Sequence, residues 1–148
     1  MAEELLGKFQ CVVLAPRAKL LDCTTHSITL PAHDGQIGVL RNHMPTLCKL
    51  GLGIMEVRDC TIDDDQNSGS VSFLIDGGFV QISNNVVAVL AYDVIVEADV
   101  DAAKAEKMLA EANKLSGDDA EAMRRRQHDI KKATLLLQMA QIAASSKE

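Results

Sequence analysis

Apolar positions change their period along this chain. Up to about residue 97 they come in short segments rich in β-branched residues and separated by turn signals. Beyond Asp99 they recur every three or four residues among Ala, Lys, Glu, Leu and Met. The first pattern suits strands, whose side chains alternate between two faces, and the second suits helices. Lys8 to Ala15 reads as a strand ending at Pro16, and His26-Ser27-Ile28-Thr29-Leu30 alternates polar and apolar until Pro31. Ile54 to Arg58 and Ser70 to Ile75 flank Asp63-Asp64-Asp65-Gln66-Asn67-Ser68-Gly69, which predicts a hairpin loop. Phe79 to Ser83 and Val86 to Ala91 flank Asn84-Asn85, a pair suited to a two-residue turn with positive φ. Tyr92 to Glu97 adds a last short strand. Many short strands at close spacing predict an antiparallel sandwich or barrel.

In the second half, Asp99 can cap a helix running to about Leu115. Ala102, Ala105, Leu109 and Ala112 follow its period, as do Met108 and Leu115. Ser116-Gly117 breaks it. Asp118 followed by Glu121 resembles a capping box, and a second helix should run to about Ala144 with Ile130, Ala133, Leu137 and Ala140 as its apolar stripe. The Ala-rich faces and short link fit an antiparallel helical hairpin, which has little core of its own and depends on packing against something else. The predicted fold is thus an all-β antiparallel sandwich over residues 1–98 followed by a two-helix hairpin over 99–148.

Composition narrows the function. The chain has 148 residues, 47% of them hydrophobic, with no Trp, one Tyr and three Phe, so its core must be mostly Val, Ile, Leu and Ala. A net charge of −6 without a long basic stretch argues against a nucleic-acid partner. No run approaches the roughly 20 apolar residues that span a bilayer. Met1-Ala2-Glu3-Glu4 lacks the basic-then-apolar order of a signal peptide, and is too short and acidic for an organelle transit peptide, which predicts a mature cytoplasmic chain beginning near Met1. Cys11, Cys23, Cys48 and Cys60 are too far apart in sequence for a metal knuckle or redox pair and read as reduced, partly buried thiols.

Three segments carry a family resemblance. Leu30-Pro31-Ala32-His33-Asp34-Gly35-Gln36-Ile37-Gly38-Val39-Leu40-Arg41-Asn42-His43-Met44-Pro45-Thr46-Leu47 resembles the pattern L-P-x-x-x-G-E-x-G-[VI]-L-P-G-H-x-P-L-[LV] of the epsilon subunits of F-type ATP synthases. Ile75-Asp76-Gly77-Gly78-Phe79-Val80-Gln81-Ile82 and Val86-Val87-Ala88-Val89-Leu90-Ala91 are similar to two further patterns of that family, in register, and the hairpin follows in the right order. The residues also speak for themselves. Gly35 and Gly38 should bracket a tight turn between strands, where positive φ or close backbone approach is expected. Asn42 can adopt the left-handed conformation in place of the family's Gly, and Pro45 holds Met44 extended. Gly77-Gly78 suggests a bulge or close packing of backbone.

The resemblance implies a subunit without catalytic residues or cofactor, placed at the foot of a rotating stalk. Its expected partners are the gamma subunit, the membrane c-ring and, through an extended hairpin, the alpha/beta catalytic head. It would couple ion-driven rotation to ATP synthesis and associate with the membrane, at the cytoplasmic face of a bacterial inner membrane, only through the complex. The c-ring and gamma interface would include Asp34, Gln36 and His43. Gln36 lacks the family's charge, so Asp34 or His33 would supply the polar contact. For His43, an ordinary turn-stabilising role stands beside the interface role. Some members bind ATP on the hairpin through [IL]-D-x-x-R-A and two second-helix arginines. Val100-Asp101-Ala102-Ala103-Lys104-Ala105 stands in the first place, and Lys132 and Leu136 in the second. Lysine lacks the bidentate fork of arginine and Leu136 has no charge, which predicts weak or lost ATP binding. Asp101, Lys104, Arg125 and Lys132 remain candidates for a weak nucleotide contact or a contact with the head. Arg124-Arg125-Arg126 reads either as a solvated face or as a docking run, though side chains about 100° apart cannot all face one partner.

The competing classes are a stand-alone β-sandwich protein-binding module, which leaves the three motifs and the hairpin unexplained, and an enzyme, for which no nucleophile elbow, phosphate loop or metal spacing is present. Within the family the mitochondrial counterpart is disfavoured by the missing transit peptide, while a plastid-encoded member stays open. Deleting Val100 to Glu148 is expected to leave a cooperatively melting sandwich, because the motifs precede Asp99. A thermal scan of the truncated chain without a cooperative transition would refute the two-part division.

Overall fold

A computed structural model describes residues 7–62, 69–97, 100–114, 117 and 119–146. The fold divides into two compact units, with the boundary between Ile95 and Val96. The first unit is all β. Its strands are β1 (Phe9–Leu14), β2 (Lys19–Thr25), β3 (Ser27–Ala32), β4 (Gly35–Val39), β5 (Thr46–Cys60), β6 (Gly69–Ser83), β7 (Val86–Ala91) and β8 (Val94–Val96). Their spatial order is β2-β1-β7-β6-β5-β3-β4, with β8 on β6. β1 and β7 run parallel, a departure from the antiparallel expectation, and the other pairs along this order are antiparallel.

The two layers share β5 and β6. Residues 46–50 of β5 pair with 78–82 of β6 beside β7, whereas 52–57 pair with 71–76 beside β3. The core lies between the layers: Cys11, Val13, Leu50, Val80, Ile82, Val87 and Val89 from one, Ile28, Leu30, Met55, Val57, Phe73 and Ile75 from the other, all buried. The crossing needs glycine at two points. Gly78 has φ 138°, and a Cβ there would lie 2.2 Å from the Leu90 carbonyl oxygen. A Cβ on Gly53 would lie 2.5 Å from Pro31 Cβ. The bulge or close packing expected at Gly77-Gly78 is therefore real, and β6 runs through it as one strand rather than two.

Other expectations move. Asn84 and Asn85 have φ of 52° and 61°, as the two-residue turn requires, and Asn42 is left-handed at φ 65°. Gly38, however, does not close a turn. It lies within β4 opposite Thr29, without positive φ and with open space where its Cβ would be. The turn is His33-Asp34, and Gly35, at φ 142°, starts the strand. Pro31 does not end β3, which continues to Ala32. Of the hairpin loop, Asp63 to Ser68 lie outside the described residues, and Gly69 begins β6.

The second unit contains α1 (Ala102–Lys114) and α2 (Ala120–Ser146), which pack on each other. Asp99 and Asp118, the expected caps, lie outside the described residues, as do Leu115 and Ser116. Asp101 and Asp119 do the capping. Asp101 Oδ1 accepts the Ala103 N–H at 3.0 Å, and Asp119 Oδ1 accepts the Ala122 N–H at 2.8 Å. Each cap's carbonyl accepts the first intrahelical bond, from Ala105 and Met123. Among the described residues the buried side chains are Ala105 and Ala112 on α1 and Ala133, Leu136 and Met139 on α2. The α2 stripe is therefore rotated from the expected one, leaving Ile130, Leu137 and Ala140 half-buried beside it.

Gly78→Ala is expected to destabilise the first unit by about 2 kcal/mol or more, since it combines a left-handed φ with a collision against backbone. Gly38→Ala should change stability by less than about 0.5 kcal/mol. Urea denaturation of both variants checks the contrast.

Candidate protein-docking site

The strands β5, β6 and β7 bury one face in the core and present a second apolar face outward. β7 is Val86-Val87-Ala88-Val89-Leu90-Ala91, apolar at every position. Val87, Val89 and Ala91 point inward, so Val86, Ala88 and Leu90 must point out. Phe79 stands directly opposite Leu90 on one side and Lys49 on the other, while Leu47 stands opposite Gln81, which pairs with Ala88. Leu47 is 75% exposed, Leu90 49% and Phe79 40%. Tyr92 extends the face. Its ring sits where a Cβ on Gly77 would meet it at 3.2 Å, and it meets Phe79 edge-on, with centroids 6.1 Å apart and planes at 82°. An exposed apolar face, interrupted here by Lys49 and Gln81, on a sheet that already owns a core is a candidate docking surface. The sequence pattern places these residues in strands and family segments but not on an outward face. The signal was the unbroken apolar run of β7, which a half-solvated strand would interrupt with polar residues.

The predicted interface residues lie on the β3–β4 hairpin and in the loop that follows it. Asp34 is exposed in the turn joining β3 to β4, and Gln36 is exposed on β4, the last strand of the order, opposite Pro31. The adjoining His33 N–H donates to the Lys49 carbonyl at 2.8 Å, which fixes this turn near the start of β5. His43 lies further along, in the loop that enters β5. It is half-buried, with Nδ1 2.8 Å from the Met44 carbonyl oxygen, which also accepts from Thr46 Oγ1 at 2.9 Å. His43 Nδ1 thus has a local partner within its own loop. Asp34 and Gln36 thus share the β3–β4 hairpin, while His43 lies in the separate loop between β4 and β5.

In the second unit Asp101 is occupied as the α1 cap, and Lys104 and Arg125 are exposed, as are Arg124 and Arg126. Lys132 is half-buried. Counted outward from the link between the helices, Lys132 falls level with the Asp101 end of α1. Arg125 is two turns, about 10 Å, nearer the link. Leu136, where the resemblance would place a second arginine, is buried. Among the described residues no helix is long and apolar enough to cross a membrane.

Residues 8–97 match the family model for the β-sandwich domain of the ATP synthase delta/epsilon chain. The chain belongs to the ATP synthase delta/epsilon family. It is 32% identical over 136 residues to the ATP synthase epsilon chain of Rhodopirellula baltica, covering 92% of this chain and 97% of that one. It is 37% identical over 103 residues to the chloroplastic epsilon chain of Piper cenocladum, covering 68% and 72%. Its fold is similar to a chain in the Euglena gracilis mitochondrial ATP synthase (OSCP/F1/c-ring), with TM-score 0.69, 22% identity, and 93% and 81% covered. A chain in the Tetrahymena thermophila mitochondrial ATP synthase central stalk/c-ring gives TM-score 0.65 at 19% identity, with 87% and 93% covered. This chain thus has the predicted sandwich followed by two helices, and its outward apolar face lies on the matched domain.

Inside that domain the fold gathers thiols that sequence spacing kept apart. Cys11 stands opposite Cys23 in the register of β1 and β2. An irregularity in β5 between Val57 and Cys60, with Asp59 at φ 53°, turns Cys60 inward, and a bridge between Thr24 and Thr61 ties β2 to the end of β5. The Thr25 hydroxyl, buried at the same junction, donates to the Arg58 carbonyl. The Cys11 thiol beside it, then burial, raises the Cys23 pKa far above the ordinary range. Burial, then Cys23, pushes the Cys60 thiol up to about 12. All four cysteines are free, and Cys48 is half-buried.

Because the folded thiols hold their protons to higher pH than unfolded ones, their stabilisation is complete below about pH 9. It falls as pH rises from there toward 12. Denaturation midpoints between pH 8 and 11 are expected to decline, and Cys60→Ala to flatten the decline.

Proposed function

We propose that this chain is a non-catalytic rotor subunit of an F-type ATP synthase. It couples ion-driven rotation of the c-ring to ATP synthesis in the catalytic head, at the cytoplasmic face of a bacterial inner membrane. The observation that carries this reading is the second apolar face, Leu47, Phe79, Ala88 and Leu90, on a sheet whose other face is already a core. Such a sheet suits a part that is clamped between other proteins. Family membership, relatives named epsilon chains and solved assemblies of the same fold support it.

In this reading residues 1–98 form the docking domain. The gamma subunit takes the apolar face, where association removes Phe79, Leu90 and Leu47 from water at roughly 25 cal/mol per Å². The β3–β4 edge, with Asp34 and Gln36, and the loop carrying His43 meet the polar loops of the c-ring. Residues 99–148 form the regulatory hairpin, whose Arg125 and Lys104 are available to acidic surface of the alpha/beta head. Asp101 is committed to its cap, and Lys132 lies some 10 Å along from Arg125. That separation, with Leu136 in the core, supports an ATP contact that is weak or absent. The subunit's work is mechanical: it transmits torque and needs no bond chemistry of its own.

Reconstitution with a cognate synthase lacking this subunit tests the proposal. Wild-type chain is expected to restore proton-driven ATP synthesis. Leu90→Asp, which places a charge at a position half exposed in the free chain, should weaken gamma binding at least tenfold with little change in thermal midpoint. A wild-type chain that fails to bind the complex would return the sandwich to the stand-alone module reading.

A further inference from the structure

Two turns distant in sequence are joined by a reciprocal pair of side chains. The Asn42 backbone N–H donates to Asn85 Oδ1 at 2.7 Å, and Asn85 Nδ2 donates to Asn42 Oδ1 at 3.3 Å. Asn42 belongs to the loop between β4 and β5, Asn85 to the turn between β6 and β7, and both have left-handed backbone, φ 65° and 61°. The Asn85 carbonyl also accepts the Gln10 N–H at 3.0 Å. One residue therefore ties the start of β1, the β6–β7 turn and the β4–β5 loop together. Asparagine suits both positions. Its backbone tolerates positive φ, and its carboxamide offers a donor and an acceptor at once. Glycine would meet only the first requirement, and aspartate at 85, where the carboxamide both accepts and donates, would lose the donor.

The loop so held presents apolar side chains to water. Leu40 is 64% exposed and Met44 71%, on either side of a turn closed by the His43 N–H to the Leu40 carbonyl at 3.2 Å. Apolar tips on a free loop would be ordered only when a partner arrives, at a cost in conformational entropy. A loop ordered beforehand avoids most of that cost.

We infer that Asn42 and Asn85 form a latch that presets residues 40–45 for docking, which makes them positioning residues for the contact with the c-ring. The inference rests on the function proposed above and adds to it the device that shapes the contact. Leu40 and Met44 touch the ring, while Asn42 and Asn85 act through them.

The test compares three variants of the full chain, each bound to its gamma subunit, in binding to the detergent-purified c-ring. Asn85→Gly keeps the turn geometry and the backbone bond to Gln10 but removes both side-chain bonds. It should weaken ring binding about tenfold, speed hydrogen exchange at the Asn42 amide, and leave gamma binding unchanged. Asn84→Gly loosens the same turn without touching the latch and should bind as wild type. Asn85→Asp keeps the acceptor and should give intermediate exchange at Asn42. A structural role alone would lower the thermal midpoint without changing ring affinity at temperatures where every variant is folded. Wild-type affinity in Asn85→Gly, or an equal loss in Asn84→Gly, would overturn the latch. If the wild-type chain binds neither gamma nor ring, the functional reading itself falls, and the docking role with it. If it binds gamma but not the ring, only the ring contact and its latch fall.

Discussion

The passage of two fifteen-residue strands from one layer of the sandwich to the other is the constraint on which the first unit depends. Each strand must turn through the layer boundary without losing its ladder, and this brings backbone against backbone at Gly78 and Leu90 and brings Pro31 against Gly53. Side chains are excluded at those points by distances well inside van der Waals contact. Once the crossing is made, the register of β5 with β6 decides which residues of both layers face the core. A shift of one residue would turn Met55, Val57, Phe73 and Ile75 out to water.

The same register makes the outer face. Along β7 both sides of the strand are apolar, so burying one leaves the other exposed, and the alignment of Phe79 with Leu90 gathers those exposed groups into one area. The interior and the docking face are thus two consequences of one pairing.

How much of this was legible in the sequence varied by element, for physical reasons. The Asn84-Asn85 turn, the Gly77-Gly78 irregularity and the two helices announce themselves through backbone requirements or a long periodicity, which tertiary context rarely overrides. β2 does not, because its inward positions are Leu21, Cys23 and Thr25, and a buried threonine looks polar until its hydroxyl finds the Arg58 carbonyl. β4 contains two glycines and pairs with β3 alone, so it resembles a turn. Each helix start offers more than one aspartate, and propensity cannot choose among them. The docking face was hidden because an exposed apolar residue on a strand is read as core by any rule that assumes one buried side.

The parallel pairing of β1 with β7 also bears on how the protein is made. During synthesis β1 emerges early, and the strand that completes its second edge leaves the ribosome only near the end of the domain. Contacts of such high sequence separation are slow to form. The nascent amino-terminal strand therefore stays unsatisfied along one edge, with its apolar side chains open to wrong pairing, for most of translation. A chain built this way depends on what shields its first strand until the seventh arrives.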